Sequence, residues 1–163
     1  MLTRRNLLLG ASALASVAAL WWIYDTSEAR GTFEIERTDA EWRSLLTKAQ
    51  FEVLRLHRTE PPGSSPLNHE KRKGVYACAG CALPLFASEA KYDSRTGWPS
   101  FYQPLANALG TKRDYALLVP RTEVHCRRCG GHLGHVFEDG PPPTGLRYCI
   151  NGVAMTFTPE AAV

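Results

Sequence analysis

The sequence predicts a mainly β domain with a short helical lead-in, and three observations carry that reading. Residues 38–49 combine a capping box with apolar residues at helical spacing. From Gly74 onward the chain breaks into short strand-like runs separated by glycine and proline. Two Cys-x-x-Cys pairs, 44 residues apart, punctuate that second region. Bulk properties agree: 44% hydrophobic and 21% charged residues are ordinary for a globular protein. Once an N-terminal appendage is set aside, 163 residues suit one domain. The net charge is +3 and stays +3 without residues 1–29, whose charged groups are Arg4, Arg5, Asp25 and Glu28. The basic runs Lys71-Arg72-Lys73 and Arg127-Arg128 are short and read as solvated loops, so nucleic acid is not an expected partner.

The first 29 residues read as an address. Arg4-Arg5 precede an uncharged stretch, residues 6–24, rich in Leu, Ala and Ser and ending near Trp21-Trp22. A basic start and an apolar middle describe an export signal, and the arginine pair points to the twin-arginine type. Ser27-Glu28-Ala29 has the small-x-small form of a cleavage site. An uncleaved membrane anchor through residues 6–24 is the alternative, with Trp21, Trp22 and Tyr24 at the far interface. Either version places the domain outside the cytoplasm, periplasmic or held at the periplasmic face of the inner membrane.

Residues 30–37 read as a linker, 38–158 as the domain, and 159–163 as a tail. Thr38-Asp39-Ala40-Glu41 fits a capping box. Trp42, Leu45, Leu46 and Ala49 follow at helical spacing, with a second short helix expected over residues 51–56. Pro61-Pro62-Gly63-Ser64-Ser65-Pro66 opens a loop. Strands are expected at Gly74–Ala77, Tyr115–Pro120, Thr122–His125, His135–Phe137, Leu146–Ile150 and Val153–Phe157, in an antiparallel body.

Cys78, Cys81, Cys126 and Cys129 have the spacing of two metal knuckles, and a structural Zn²⁺ takes four thiolates tetrahedrally. Each pair lies beside a small-residue turn, Ala79-Gly80 or Gly130-Gly131. Two disulfides or a redox Cys-x-x-Cys are competing readings. A Cys₃His set using His132 also has ligand spacing.

Cys149 is the cysteine left over, in Arg147-Tyr148-Cys149-Ile150-Asn151. Alternation along a strand places Arg147, Cys149 and Asn151 on one face and Tyr148 and Ile150 on the other. A guanidinium about 7 Å away favours the thiolate by about 2.4 kcal/mol at an effective dielectric of about 20, an upper figure that moves the thiol toward neutrality. The competing reading is a buried apolar cysteine. His132 and His135 stand upstream, each suited to proton donation or orientation. Trp98, in Gly97-Trp98-Pro99, either plugs the core or walls an apolar pocket for a small methyl-bearing group.

Together these residues closely resemble the R-specific peptide methionine sulfoxide reductase family. The matching stretches are Glu41-Trp42, Thr59-Glu60-Pro61-Pro62, Gly74 to Cys81, Lys91 to Ser94, Gly97 to Phe101, Cys126 to Gly130, His132 to Phe137 and Arg147 to Asn151. The resemblance implies two antiparallel β sheets and a structural zinc on Cys78, Cys81, Cys126 and Cys129. It implies a nucleophile at Cys149, proton assistance from His135, and positioning or polarising roles for His132, Asn151 and Arg147. Substrate contact falls to Trp98, Phe101 and Phe137. The implied partners are oxidised proteins or peptides and a thioredoxin-like external reductant, with the enzyme a monomer. Two positions depart from the family. Thr96 stands where many members carry a recycling cysteine, so an external thiol is expected to attack the sulfenic acid directly. Gly152 stands where a serine is common, and loss of that hydroxyl is expected to loosen a hydrogen bond at the site. A thiol hydrolase using Cys149 and His135, and a zinc-ribbon-like binding module without enzymatic activity, are the competing functions.

Overall fold

A computed structural model describes residues 33–117 and 119–161. The leader or anchor expected at residues 1–29, and the first residues of the linker, lie outside the described residues. Among the described residues no helix is long and apolar enough to cross a membrane.

Two helices open the domain, α1 at Asp39–Leu45 and α2 at Lys48–Leu54. The box expected at Thr38 is present: Thr38 Oγ1 accepts from the Glu41 amide at 3.3 Å, and the Glu41 carboxylate accepts from the Thr38 amide at 2.7 Å. A second box, Thr47 with Gln50, starts α2. The apolar run therefore splits at Leu46-Thr47, and the second helix begins before residue 51, because Thr47 offers the free amides of its own first turn an acceptor. Trp42, Phe51, Val53 and Leu54 are buried, while Leu45 is exposed. The Arg37 and Arg55 guanidinium groups each lie 5.0 Å from the Trp42 ring centre, in cation–π range.

Among the described residues nine strands follow: β1 Gly74–Cys78, β2 Pro84–Ala87, β3 Lys91–Tyr92, β4 Ser100–Phe101, β5 Leu109–Asp114, β6 Arg121–Cys126, β7 His132–Phe137, β8 Arg147–Ile150 and β9 Met155–Pro159. They make two antiparallel sheets, one ordered β2-β1-β9 and one ordered β3-β4-β8-β7-β6-β5. An aromatic cluster belongs to both: Phe86 of β2 stacks on Phe101 of β4 at 4.2 Å, and Tyr76 of β1 meets Phe101 edge-on at 5.0 Å. Each of these side chains is fully buried, worth roughly 1.5–3 kcal/mol for a ring of this size.

The strand expected at Tyr115–Pro120 is corrected. The fifth strand ends at Asp114, and Tyr115, Leu117 and Val119 are 72%, 58% and 73% exposed in the connection to β6. The real strand reads Leu-Gly-Thr-Lys-Arg-Asp, polar because it is the sheet edge, where charged side chains discourage pairing with another chain.

Candidate active site

The large sheet brings the candidate residues together through its register. Ser100 pairs with Cys149, Cys149 with His135, His135 with Glu123, and Glu123 with Lys112. Residues directly opposite one another share a face, with Cβ atoms about 5 Å apart. One row across five strands thus reads serine, cysteine, histidine, glutamate, lysine. Phe137 and Arg147 pair in the next same-face row, with the guanidinium 4.4 Å from the Phe137 ring centre. Close approach of β7 and β8 depends on Gly134, where a Cβ would collide with the Cys149 carbonyl oxygen.

His135 is held from the edge of the sheet. Its Nε2 lies 2.7 Å from Asp114 Oδ2, which also accepts from Arg121 at 2.7 Å. Hydrogen bonds from the Ala116 amide, His135 and Arg121 hold the Asp114 carboxyl down at about 2. Ionised Asp114 therefore accepts, and the Nε2 proton belongs to His135. Burial pushes the His135 pKa below its usual value, with Asp114 opposing that shift. His132, expected beside it, is buried against Glu123, with Nδ1 3.1 Å from Oε1 and its ring centre 5.5 Å from that of His135.

The thiol differs from the sequence-based expectation. Burial pushes the Cys149 pKa above the ordinary thiol value, and Thr96 and Arg147 only partly oppose it. Arg147 is spent on Asp139, with Nε 2.8 Å from Oδ1 and Nη2 2.7 Å from Oδ2. The carboxylate takes back part of what Arg147 offers the sulfur, but burial is the larger cause of the raised pKa. The expected shift toward neutrality is not found. The Thr96 hydroxyl lies 3.9 Å from Cys149 Sγ and ends a chain through Ser94 (2.9 Å) to Ser100 (2.7 Å).

Asn151 follows the last residue of β8, and its side chain is committed elsewhere. Nδ2 donates to the Leu133 carbonyl and Oδ1 accepts from the Glu60 amide, both at 2.9 Å. It ties the Thr59–Pro62 segment to β7 rather than aligning with the thiol. Glu60 is engaged throughout. Its carbonyl accepts from Trp98 Nε1 at 3.1 Å, and its carboxylate accepts from the Gly152 and Val153 amides at 2.5 and 3.0 Å. Trp98 is held by its nitrogen with its ring half-buried, which leaves aromatic surface free. A cleft of about 580 Å³ runs past Trp98 and Pro99.

Two expectations are corrected by packing. Phe101 pairs with Tyr148 on the opposite face from Cys149 and is fully buried, so it supports the core instead of meeting a substrate. Gly152 leaves no gap: a Cβ there would collide with the Ser65 side chain, so Ser65 supplies a hydroxyl to the space. Phe137 remains on the Cys149 face, half-buried.

The four other cysteines form one cluster. All five cysteines are free thiols, so the disulfide reading fails. Cys78 and Cys129 Sγ lie 3.7 Å apart, and Cys81 and Cys126 Sγ 3.5 Å apart. A tetrahedron with metal–sulfur bonds of about 2.3 Å has edges of about 3.8 Å, so the set fits one metal ion. His132 is absent from it, because its ring turns to Glu123. Gly130, at φ +66°, closes the second knuckle where a side chain would strike Phe33.

Sequence reasoning missed Asp114, Glu60, Asp139, Glu123 and His57. Glu60 lay in view within Thr59-Glu60-Pro61-Pro62, but nothing in the local pattern of Asp114 marks it as the partner of a histidine on a strand two places away.

Comparison with known proteins agrees with this geometry. The SelR domain matches residues 46–159. The chain is 50% identical over 127 residues to the peptide methionine sulfoxide reductase MsrB of Agrobacterium fabrum, covering 77% of this chain and 94% of that protein. It is 54% identical over 128 residues to the MsrB of Pseudomonas entomophila, covering 78% and 98%. Against the MsrB of Methanosarcina mazei it is 50% identical over 128 residues, covering 78% and 91%. With a free thiol opposite a carboxylate-held histidine, a four-cysteine metal seat and identity across nearly the whole length of these relatives, the chain belongs to the SelR-domain family of MsrB-type peptide methionine sulfoxide reductases.

Proposed function

We propose that this chain reduces the R epimer of methionine sulfoxide in oxidised proteins and peptides, with Cys149 as nucleophile. The observation that carries the reading is the pairing of Cys149 with His135 on one face, in a member of this family. The Cys149 thiolate attacks the sulfoxide sulfur while the sulfoxide oxygen takes a proton from His135. The oxygen passes to Cys149 as a sulfenic acid and methionine is released, so the enzyme sulfur is oxidised by two electrons and the substrate sulfur reduced by two. Asp114 keeps one proton on His135 Nε2, leaving Nδ1 to exchange the other. Burial favours a thiol that waits in its neutral form, so substrate binding beside Arg147 and Thr96 completes its activation. Trp98 and Phe137 supply apolar contact for the methyl group.

Recycling draws on an external thiol of thioredoxin type. That thiol attacks Cys149–SOH, releasing water and leaving a mixed disulfide, and a second external thiol restores Cys149. This follows from Thr96 at the recycling position and from the gathering of the other four cysteines in the metal cluster. The cluster holds a structural Zn²⁺ on Cys78, Cys81, Cys126 and Cys129, fixing the turn after β1 to the turn between β6 and β7. The protein acts as a monomer outside the cytoplasm, exported or anchored by its first 29 residues.

The test is reduction of peptide methionine R- and S-sulfoxides by wild type and Cys149→Ser. Turnover of the R form alone, lost in the serine variant, supports the reading; retained activity in the variant ends it.

A further inference from the structure

We propose that His57, Glu123 and His132 form a second metal site, a two-histidine, one-carboxylate seat for a borderline divalent cation such as Ni²⁺, Co²⁺ or Zn²⁺. One ligand atom from each residue lies within 4.8 Å of the others. His132 Nδ1 and His57 Nδ1 stand 3.1 and 3.4 Å from the same oxygen, Glu123 Oε1. Donors bound to one ion at about 2.0–2.2 Å lie roughly 3.0–3.5 Å apart at ordinary coordination angles. The two separations fall in that range.

His132 Nδ1 and Glu123 Oε1 stand at hydrogen-bond distance, 3.1 Å, but out of line. Both are buried, with side chains 3% and 5% exposed, yet neither has an aligned hydrogen-bond partner. An orphaned buried polar atom is destabilising by about 1–3 kcal/mol and calls for an explanation, an ion among them. Two orphans turned toward each other, with a third donor beside them, give that explanation a location. His57 completes the set from outside the sheet. Its backbone is left-handed at φ +55°, and its side chain is 47% exposed, so the seat opens to solvent. Two imidazoles and one carboxylate suit first-row transition ions better than Ca²⁺ or Mg²⁺. Lys112 Nζ sits 3.3 Å from the other Glu123 oxygen and opposes a cation. Its side chain is 56% exposed, free to swing away.

Occupancy would reach the reaction. His132 is packed 5.5 Å, ring to ring, from His135, which pairs with Cys149. A dication on His132 places positive charge beside the proton donor and so inhibits. The binding stands on its geometry alone; the inhibition rests on the reductase reading.

The experiment dialyses untagged full-length protein, with zinc in its cysteine cluster, against Ni²⁺ and counts both metals. Wild type and Cys149→Ser are expected to take up one equivalent of Ni²⁺ with zinc content unchanged. His57→Ala should bind roughly tenfold or more weakly, and Lys112→Gln more tightly. No added equivalent in wild type, equal affinity in His57→Ala, or loss of the equivalent in Cys149→Ser overturns the site. The rates of wild type, His57→Ala and Lys112→Gln are then followed with Ni²⁺, each relative to its own metal-free rate. Inhibition ranked as the affinities supports the coupling, and binding without inhibition overturns that coupling alone. Normal binding by a wild type inactive on every methionine sulfoxide tells against the reductase reading and leaves the metal site standing.

Discussion

Thr96→Val tests whether the hydroxyl that replaces a recycling cysteine supports the thiolate instead. Valine keeps the branched shape and removes the oxygen that lies 3.9 Å from Cys149 Sγ. Ser94 keeps a partner, because its bond to Ser100 at 2.7 Å remains. A hydrogen bond to a charged acceptor contributes about 1.5–3 kcal/mol, and a contact this long to sulfur belongs below that range, at about 1 kcal/mol. Since 1.36 kcal/mol corresponds to a factor of ten, the loss leaves about fivefold less thiolate at any pH below the thiol's own pKa. The sign follows from the structure: burial raises the Cys149 pKa, Thr96 lowers it, and removing Thr96 raises it further. The assay is the iodoacetamide alkylation rate of Cys149 across pH, with Cys149→Ser as blank. Each profile is normalised to its alkaline plateau, so that altered access cancels. Normalised profiles that coincide within twofold, or a valine profile displaced to lower pH, would refute the reasoning.

Four further outcomes are expected. Asp114→Asn removes the charge that raises the His135 pKa while leaving the burial that lowers it; the limb of the pH–rate profile assigned to His135 therefore moves to lower pH, read by kinetics and by ring-proton titration. Asp114 itself, held at about 2, contributes stability that is complete above the ordinary carboxylate pKa of 3.8 and is lost as pH falls through about 2. Gly152→Ser destabilises the fold by about 1–3 kcal/mol through overpacking against Ser65; urea denaturation should show recovery when Ser65→Gly is added, and a neutral single variant would contradict the packing. Stripping metal from the cysteine cluster removes binding free energy of about 10–16 kcal/mol, comparable to the whole stability of a domain, and Cys78→Ser removes part of it by taking away one of four ligands. Loss of the cooperative thermal transition in circular dichroism is expected, and a stably folded metal-free protein would refute the structural role.

The parts legible in the sequence were those with local chemistry. Thr38 and Glu41 announce their helix because a capping box is complete within four residues. The two Cys-x-x-Cys knuckles carry their geometry in their spacing. The β7 and β8 segments were readable from glycine-bounded runs, and with them Cys149 and His135. The edge strand β5 was hidden because its charged residues look like a loop, while exposed Tyr115, Leu117 and Val119 imitate a strand. The electrostatics of Cys149 depend on burial, which strand spacing does not reveal: Arg147 two residues away does favour the thiolate, but desolvation of the sulfur outweighs it, and Asp139 across a turn adds a smaller opposing effect. Phe101, assigned to the substrate by resemblance alone, lies one residue from Ser100, which pairs with Cys149, and so faces the core; that register is not written in the local sequence.

The pairing of β1 with β9 bears on the order of assembly. Gly74 lies opposite Pro159 and Cys78 opposite Met155, so the first strand of the β body, paired on one side with β2, finds its second neighbour only in the last strand. The β5 to β8 strands, by contrast, are successive antiparallel neighbours joined by short connections, the kind of contact that forms early because little chain must be closed. As the chain leaves the ribosome, β1 and β2 can pair and the meander carrying His135 and Cys149 can gather before the small sheet is complete. Cys78 and Cys81 are made before Cys126 and Cys129, so all four cysteines are available before Cys149 emerges, and only the closing strand β9 must wait for the end of the chain.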